Sequence, residues 1–289
     1  MDGVEDDRGS AERPKEAAST TGSEGASGAD ESRSYVLPWT LLAIGIAWGA
    51  VQVVRRLLHA SSFLTFAVEE IAFTGTLAFF AIYRSQGAEE GWRRRLLLVK
   101  PTVSGAGLAF ILLSNWGLIV LGTPLYMLGK WLFGKSAHSD SFQKLFEAAP
   151  LGWQVVLLTV VAVGPAIGEE LLFRGYLQTG LLRSLRPSIA ILIAALLFSV
   201  GHPPPPRSMT FIPHALWIGF ITFRTGSLLP AVLSHLLTNL TPTLTDAAGL
   251  KPFDVMGAGA LIGAVSFPLA LRALRRTGVG AGPELRAPS

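Results

Sequence analysis

The segment VAVGPAIGEELLFRGYL sets Glu169, Glu170 and Arg174 in an otherwise apolar stretch. An ionisable side chain inside a membrane-spanning helix costs about 2.5–3.5 kcal/mol on insertion scales, so three within six residues ask for partners or a task. Glu170 and Arg174 stand four apart on one helix face, in the order that favours an ion pair. Glu169 is turned about 100° away and stays outside that pair. Downstream, ALLFSVGHPPPP closes on four prolines. Proline lacks the helical donor and pushes the residue before it out of helical geometry, so His202 stands at a forced helix end. Phe198, four residues earlier, shares its face and can wall a site. In SLLPAVLSHLLTNLTPTL, His235 and Asn239 are four apart and form one stripe. Taken singly, each group has a plain structural account: neutralising Arg174, capping a helix, or joining helices by a buried hydrogen bond. Together they suffice to hydrolyse a peptide bond. A glutamate can take a proton from water, alone or with a metal that acidifies the water. Histidines can bind that metal or steady an oxyanion, and an amide can donate to developing negative charge. No serine or threonine has a comparable activating partner.

The elements that must position these groups are apolar helices. Half of the 289 residues are hydrophobic and 15% are charged, against about 25% charged in an ordinary soluble domain. Crossing a bilayer takes roughly 20 apolar residues of helix. The chain therefore reads as all-α, a polytopic membrane protein of about eight transmembrane helices, near 35–54, 63–83, 103–128, 153–182, 187–202, 209–226, 227–244 and 255–274. Residues 35–276 form one membrane domain with its motif core at 165–240. Residues 1–34 carry nine acids and four bases with few large apolar side chains, a composition that reads as a disordered acidic tail. Residues 277–289 read as a short flexible tail.

Other classes are excluded or set aside. Without cysteine there is neither a disulfide nor a thiolate nucleophile. The bases cluster in short loops beside apolar runs, which is a membrane-orientation signal and argues against nucleic-acid binding. Arg93, Arg94, Arg95 and Lys100 after the second span, with Arg272, Arg275 and Arg276 after the eighth, place both termini in the cytoplasm of a cell that holds this protein in its plasma or inner membrane. Arg55, Arg56, Lys130, Lys135 and Lys144 fall on the other side. Glu69 and Glu70 imitate the double glutamate, but Thr74 stands where an arginine would complete the pattern. His214 is the best spare ligand, and His59 and His138 fall in loops.

Glu169, Glu170 and Arg174 fit EExxxR, Phe198 and His202 fit FxxxH, and His235 and Asn239 fit HxxxN, in that order on successive spans. This resembles the CPBP family of intramembrane proteases, also called the CAAX prenyl protease 2 or abortive-infection family. The match runs from Glu169 to Asn239, about a quarter of the chain. The resemblance implies an intramembrane endopeptidase acting on peptide or protein substrates in or at the bilayer. In it Glu169 activates water, His202 and His235 complete the centre, Asn239 stabilises the oxyanion, and Glu170 and Arg174 orient the site. Zinc held by Glu169, His202 and His235, and a metal-free glutamate mechanism, are both open. The rival class is a non-catalytic scaffold, chaperone or transporter-like protein that uses the same polar network. Counting residues along the spans sets His202 and His235 at different depths, so tilt, a sunken helix end or a break near Pro230 must bring them together.

Overall fold

A computed structural model describes residues 35–58, 62–134, 140–247, 249–250 and 252–277. The expected acidic tail (1–34), most of the C-terminal tail, His59 and His138 lie outside these residues. All regular structure among the described residues is helical, with no strand among them. In chain order the helices are α1 (Val36–Leu58), α2 (Phe63–Ser85), α3 (Trp92–Arg95), α4 (Gly105–Phe133), α5 (Asp140–Ala148), α6 (Leu151–Glu170), α7 (Pro187–Val200), α8 (Pro205–Thr225), α9 (Leu229–Ala247) and α10 (Pro252–Arg275). Beyond α6 the chain continues as a π-helix, Leu171–Gln178, and one closing turn, Thr179–Leu181.

Five of these are long and apolar enough to cross a bilayer: Val36–Leu58, Phe63–Ser85, Gly105–Phe133, Leu151–Leu181 and Asp254–Arg275. Pro187–Val200 is apolar but short, 14 residues, or about 21 Å of helix. Against the expected eight, five helices qualify as full spans, and this half-length helix, α8 and α9 do not. These last two have the length to cross, at 21 and 19 residues, but are too polar along their length. Hydropathy averages a helix over its whole surface, and α8 and α9 turn buried His214, Thr222, Ser234 and His235 into the bundle.

The core sits between α1, α2, the π segment, α7 and α8. Leu77, Leu96, Leu172, Leu177, Ala194, Phe198 and Leu228 are fully or almost fully enclosed there. A second cluster joins α4, α8 and α10 through Ile111, Trp217, Ile221, Ala270 and Leu274. The approach of α6 to α2 is closest at Gly168. A Cβ added there would run into the carbonyl oxygen of Thr74, with the Thr74 Cα at 3.1 Å. Backbone cannot retreat as a side chain can. Gly168→Ala is therefore expected to lower stability by about 1–3 kcal/mol, the usual cost of overpacking. Thermal unfolding in detergent checks this, and because Glu169 is the next residue, activity should fall with it.

The π segment is anchored from outside the spans. Arg95 is buried, and its guanidinium donates to Thr179 Oγ1 and to the carbonyls of Gly175 and Tyr176 (both 3.4 Å). Burial pushes the Arg95 pKa down to about 10, which leaves it charged at neutral pH. The wide turn thus has an acceptor-for-donor match at carbonyls that a regular ladder would use internally.

Candidate active site

The sequence places Glu169 and Glu170 at the end of a regular helix, and the structure changes the helix type immediately after them. π-Helical turns are rare and occur most often at functional sites, since the extra residue per turn re-aims side chains. Here Arg174 remains in reach of Glu170: Nη1 donates to Oε1 at 2.9 Å, with both side chains fully buried. Its Nη2 donates to the Ala215 carbonyl of α8 at 3.3 Å, and its Cζ lies 4.3 Å from the centroid of the Phe198 ring.

His202 stands just past α7, where the prolines stop the helix. Its Nδ1 is 2.8 Å from the Phe198 carbonyl oxygen. A carbonyl can only accept, so in the neutral ring Nδ1 carries the hydrogen and Nε2 is a bare lone pair. His235, on α9, has Nδ1 2.8 Å from Glu170 Oε1, the oxygen that also accepts from Arg174. The same reasoning leaves its Nε2 bare. These two Nε2 atoms lie 3.6 Å and 3.9 Å from one oxygen, Glu169 Oε2, and that oxygen is buried without a hydrogen-bond partner among the described residues. Three acceptors therefore converge with no donor between them. A water or a cation is what such a point can take.

Counting along the helices sets the two histidines at different depths, yet both Nε2 atoms lie within 4 Å of Glu169 Oε2. Phe198 separates the ring systems: its centroid is 4.6 Å from His202, 5.7 Å from His235 and 5.3 Å from Phe173. A small cavity opens on this point, lined by Glu169, His202, Phe198, Phe173, Ile44 and Leu77 among others. His202 is the most accessible of the charged or titratable groups there, at 18% of its side chain, against 7% for Glu169 and 4% for His235.

Asn239, to which the resemblance gives the oxyanion, stands four residues beyond His235 on α9. Its Nδ2 points to the main-chain carbonyls of Val161 and Ala162 in α6, at 3.3 and 3.5 Å. Residues not singled out by the motifs also enclose the site. Phe211 packs on His202 with centroids 4.6 Å apart. His214, named above as a spare ligand, stacks edge-to-face on His235 at 5.8 Å, and its Nδ1 is 3.4 Å from Thr238 Oγ1. With Ala215 they form one face of α8 at i, i+3 and i+4, a pattern visible in the sequence once α8 is known to border the site. Glu69 is apart from all this. It pairs bidentately with Arg55 across α1 and α2, both contacts 2.9 Å.

Two imidazoles and a carboxylate are a zinc donor set in kind. The rear nitrogen of each histidine is tied by an acceptor, as metal-binding histidines usually are. Among the described residues, no group of three or more His, Cys, Asp or Glu is drawn together to metal-ligand spacing.

Residues 151–241 match the model of a family described as type II CAAX prenyl endopeptidase, Rce1-like. The matched stretch contains all seven motif residues, and it bears out the resemblance drawn from them. No curated protein and no solved structure matches the chain.

Proposed function

We propose, taking the family match over residues 151–241 as the premise, that this multi-pass membrane protein is an intramembrane endopeptidase in which Glu169 activates a water. The observation that carries the reading is the donor-free point between Glu169 Oε2 and the two Nε2 atoms. A water there would donate one hydrogen to Glu169 and the other to an imidazole, leaving a lone pair free to attack a carbonyl carbon. Glu169 holds the proton while the C–N bond breaks and returns it to the departing amine, so that acid and amine products balance. Glu170 fixes the tautomer of His235, and Arg174 compensates the charge of Glu170. If zinc is bound, Glu169, His202 and His235 would hold it, and it would supply an acidified water and a polarised carbonyl. Elemental analysis separates the two forms: either one zinc leaves together with activity on chelation, or metal-free protein keeps cleaving.

The substrates that fit are peptide segments delivered at or within the bilayer. Orientation follows from charge. Thr102 pairs with Thr225, Leu97 with Leu228, Arg183 with Glu90 and Arg224 with Leu274, which gathers the ends of α2, α6, α8 and α10 at one face. That face exposes Arg93, Arg94, Lys100, Arg186, Arg272, Arg275 and Arg276. By the positive-inside rule it is the cytoplasmic one, with both ends of the membrane domain on it.

Purified protein in detergent tests the function. Wild type is expected to cleave a fluorogenic reporter peptide, and His235→Ala to lose that cleavage while remaining folded. A scaffold or transporter would show no cleavage in either.

A further inference from the structure

Pro165 lies inside α6, four residues before Glu169. Having no N–H, it cannot serve the carbonyl of Val161, which is its partner in the helical ladder. That carbonyl is the one that Asn239 Nδ2 reaches at 3.3 Å, with the adjacent Ala162 carbonyl at 3.5 Å. Asn239 is in turn one helical turn beyond His235 on the same face of α9. A single amide therefore joins the helix of the glutamate to the helix of the second histidine, at the point where the α6 ladder is broken.

We propose that Asn239 is a positioning residue for Glu169: it supplies the donor that Pro165 withholds, and thereby fixes the turn that carries the carboxylate. Hydrogen-bonding groups buried in an apolar bundle are almost always paired, and helix breaks in membranes persist where a neighbouring side chain re-satisfies the freed group. Glu169 is in the turn that begins at the break. Loss of the amide leaves the Val161 carbonyl unpaired and lets this turn shift against α9, moving Glu169 Oε2 away from His235. The motif resemblance gives this asparagine to the oxyanion instead, and the two roles differ in what they couple to. An oxyanion donor acts on the substrate whatever stands at position 165. A ladder substitute matters only while position 165 lacks its N–H.

The test is a cycle of Asn239→Ala, Pro165→Ala and the double variant, read as kcat, KM and thermal midpoint. Asn239→Ala in the natural background is expected to lower kcat about tenfold, as displacement of a reacting group does, with KM within about twofold and a lower midpoint. With alanine at 165 the backbone N–H returns, and the same substitution should change kcat by less than about twofold and leave the midpoint nearly unmoved. An equal loss in both backgrounds would overturn the proposal. The kcat arm rests on the endopeptidase reading. If wild type cleaves nothing, that reading fails, and the midpoint arm still decides the role of Asn239. Should Pro165→Ala not fold, labelling with 13C-carbonyl valine and 15N-alanine isolates the Val161–Ala162 peptide, the one Val–Ala step in the sequence. Its carbonyl signal should move upfield in Asn239→Ala as the hydrogen bond is lost, and an unmoved signal would refute the contact.

Discussion

Glu169→Gln is expected to lower peptide cleavage roughly a hundred- to ten-thousand-fold, the range that a positioned general base contributes, while thermal stability stays equal or rises. The first effect follows because an amide oxygen cannot take a proton from water. The second follows from the same geometry. Glu169 Oε2 faces two bare imidazole nitrogens and has no partner of its own. A glutamine can turn its NH2 to that side and donate to His202 or His235. Such exchange of function for stability is common where an active site holds groups in mutual conflict. The measurement is paired: turnover of a reporter peptide and thermal midpoint on one detergent preparation. A glutamine variant that cleaved like wild type would remove Glu169 from the mechanism. One that lost activity together with its fold would show that the carboxylate is structural.

Arg174→Met should do the reverse, striking the fold first. Glu170 and Arg174 are both fully enclosed, and Glu170 Oε1 holds His235 as well as the guanidinium. Methionine keeps much of the volume but strands a carboxylate in an apolar interior, and breaking a buried pair from one side costs about 3–5 kcal/mol. Thermal unfolding should register a large drop, or the protein should fail to accumulate. Removing both charges, as in Glu170→Gln with Arg174→Met, should recover part of the stability but not the activity, since His235 loses the acceptor that fixes its tautomer. A single Arg174→Met protein as stable as wild type would mean that the pair is not what closes this part of the core.

The Glu170–Arg174 pair was legible because i, i+4 spacing survives the start of the π segment, although nothing in LLFRGYLQ announces a π-helix. What holds the wide turn is Arg95, distant in sequence and donating to carbonyls of that turn. Only tertiary contact reveals it. The half-length α7 is readable from its flanking prolines, but residue counting along separate helices cannot say how they are offset against one another, so the meeting of His202 and His235 at Glu169 shows only in the structure. The polar helices α8 and α9 were placed correctly along the chain, yet hydropathy could not say that their polar residues face inward. His214 is legible only as a spare ligand and Phe211 not at all, because an aromatic residue in an apolar helix carries no label until the neighbouring helix is known. Spacing located Asn239, and the carbonyls its amide meets, Val161 and Ala162 of α6, are set by tertiary contact.

Single-turnover hydrolysis in H2(18)O tests the central claim most directly. Wild-type protein in excess over a reporter peptide, quenched after one turnover, should yield a new C-terminal carboxylate bearing one 18O from solvent, with Glu169 itself unlabelled. Product carrying only 16O, with 18O appearing in the Glu169 carboxylate, would mean that Glu169 attacks the peptide itself. It would contradict a glutamate that activates water.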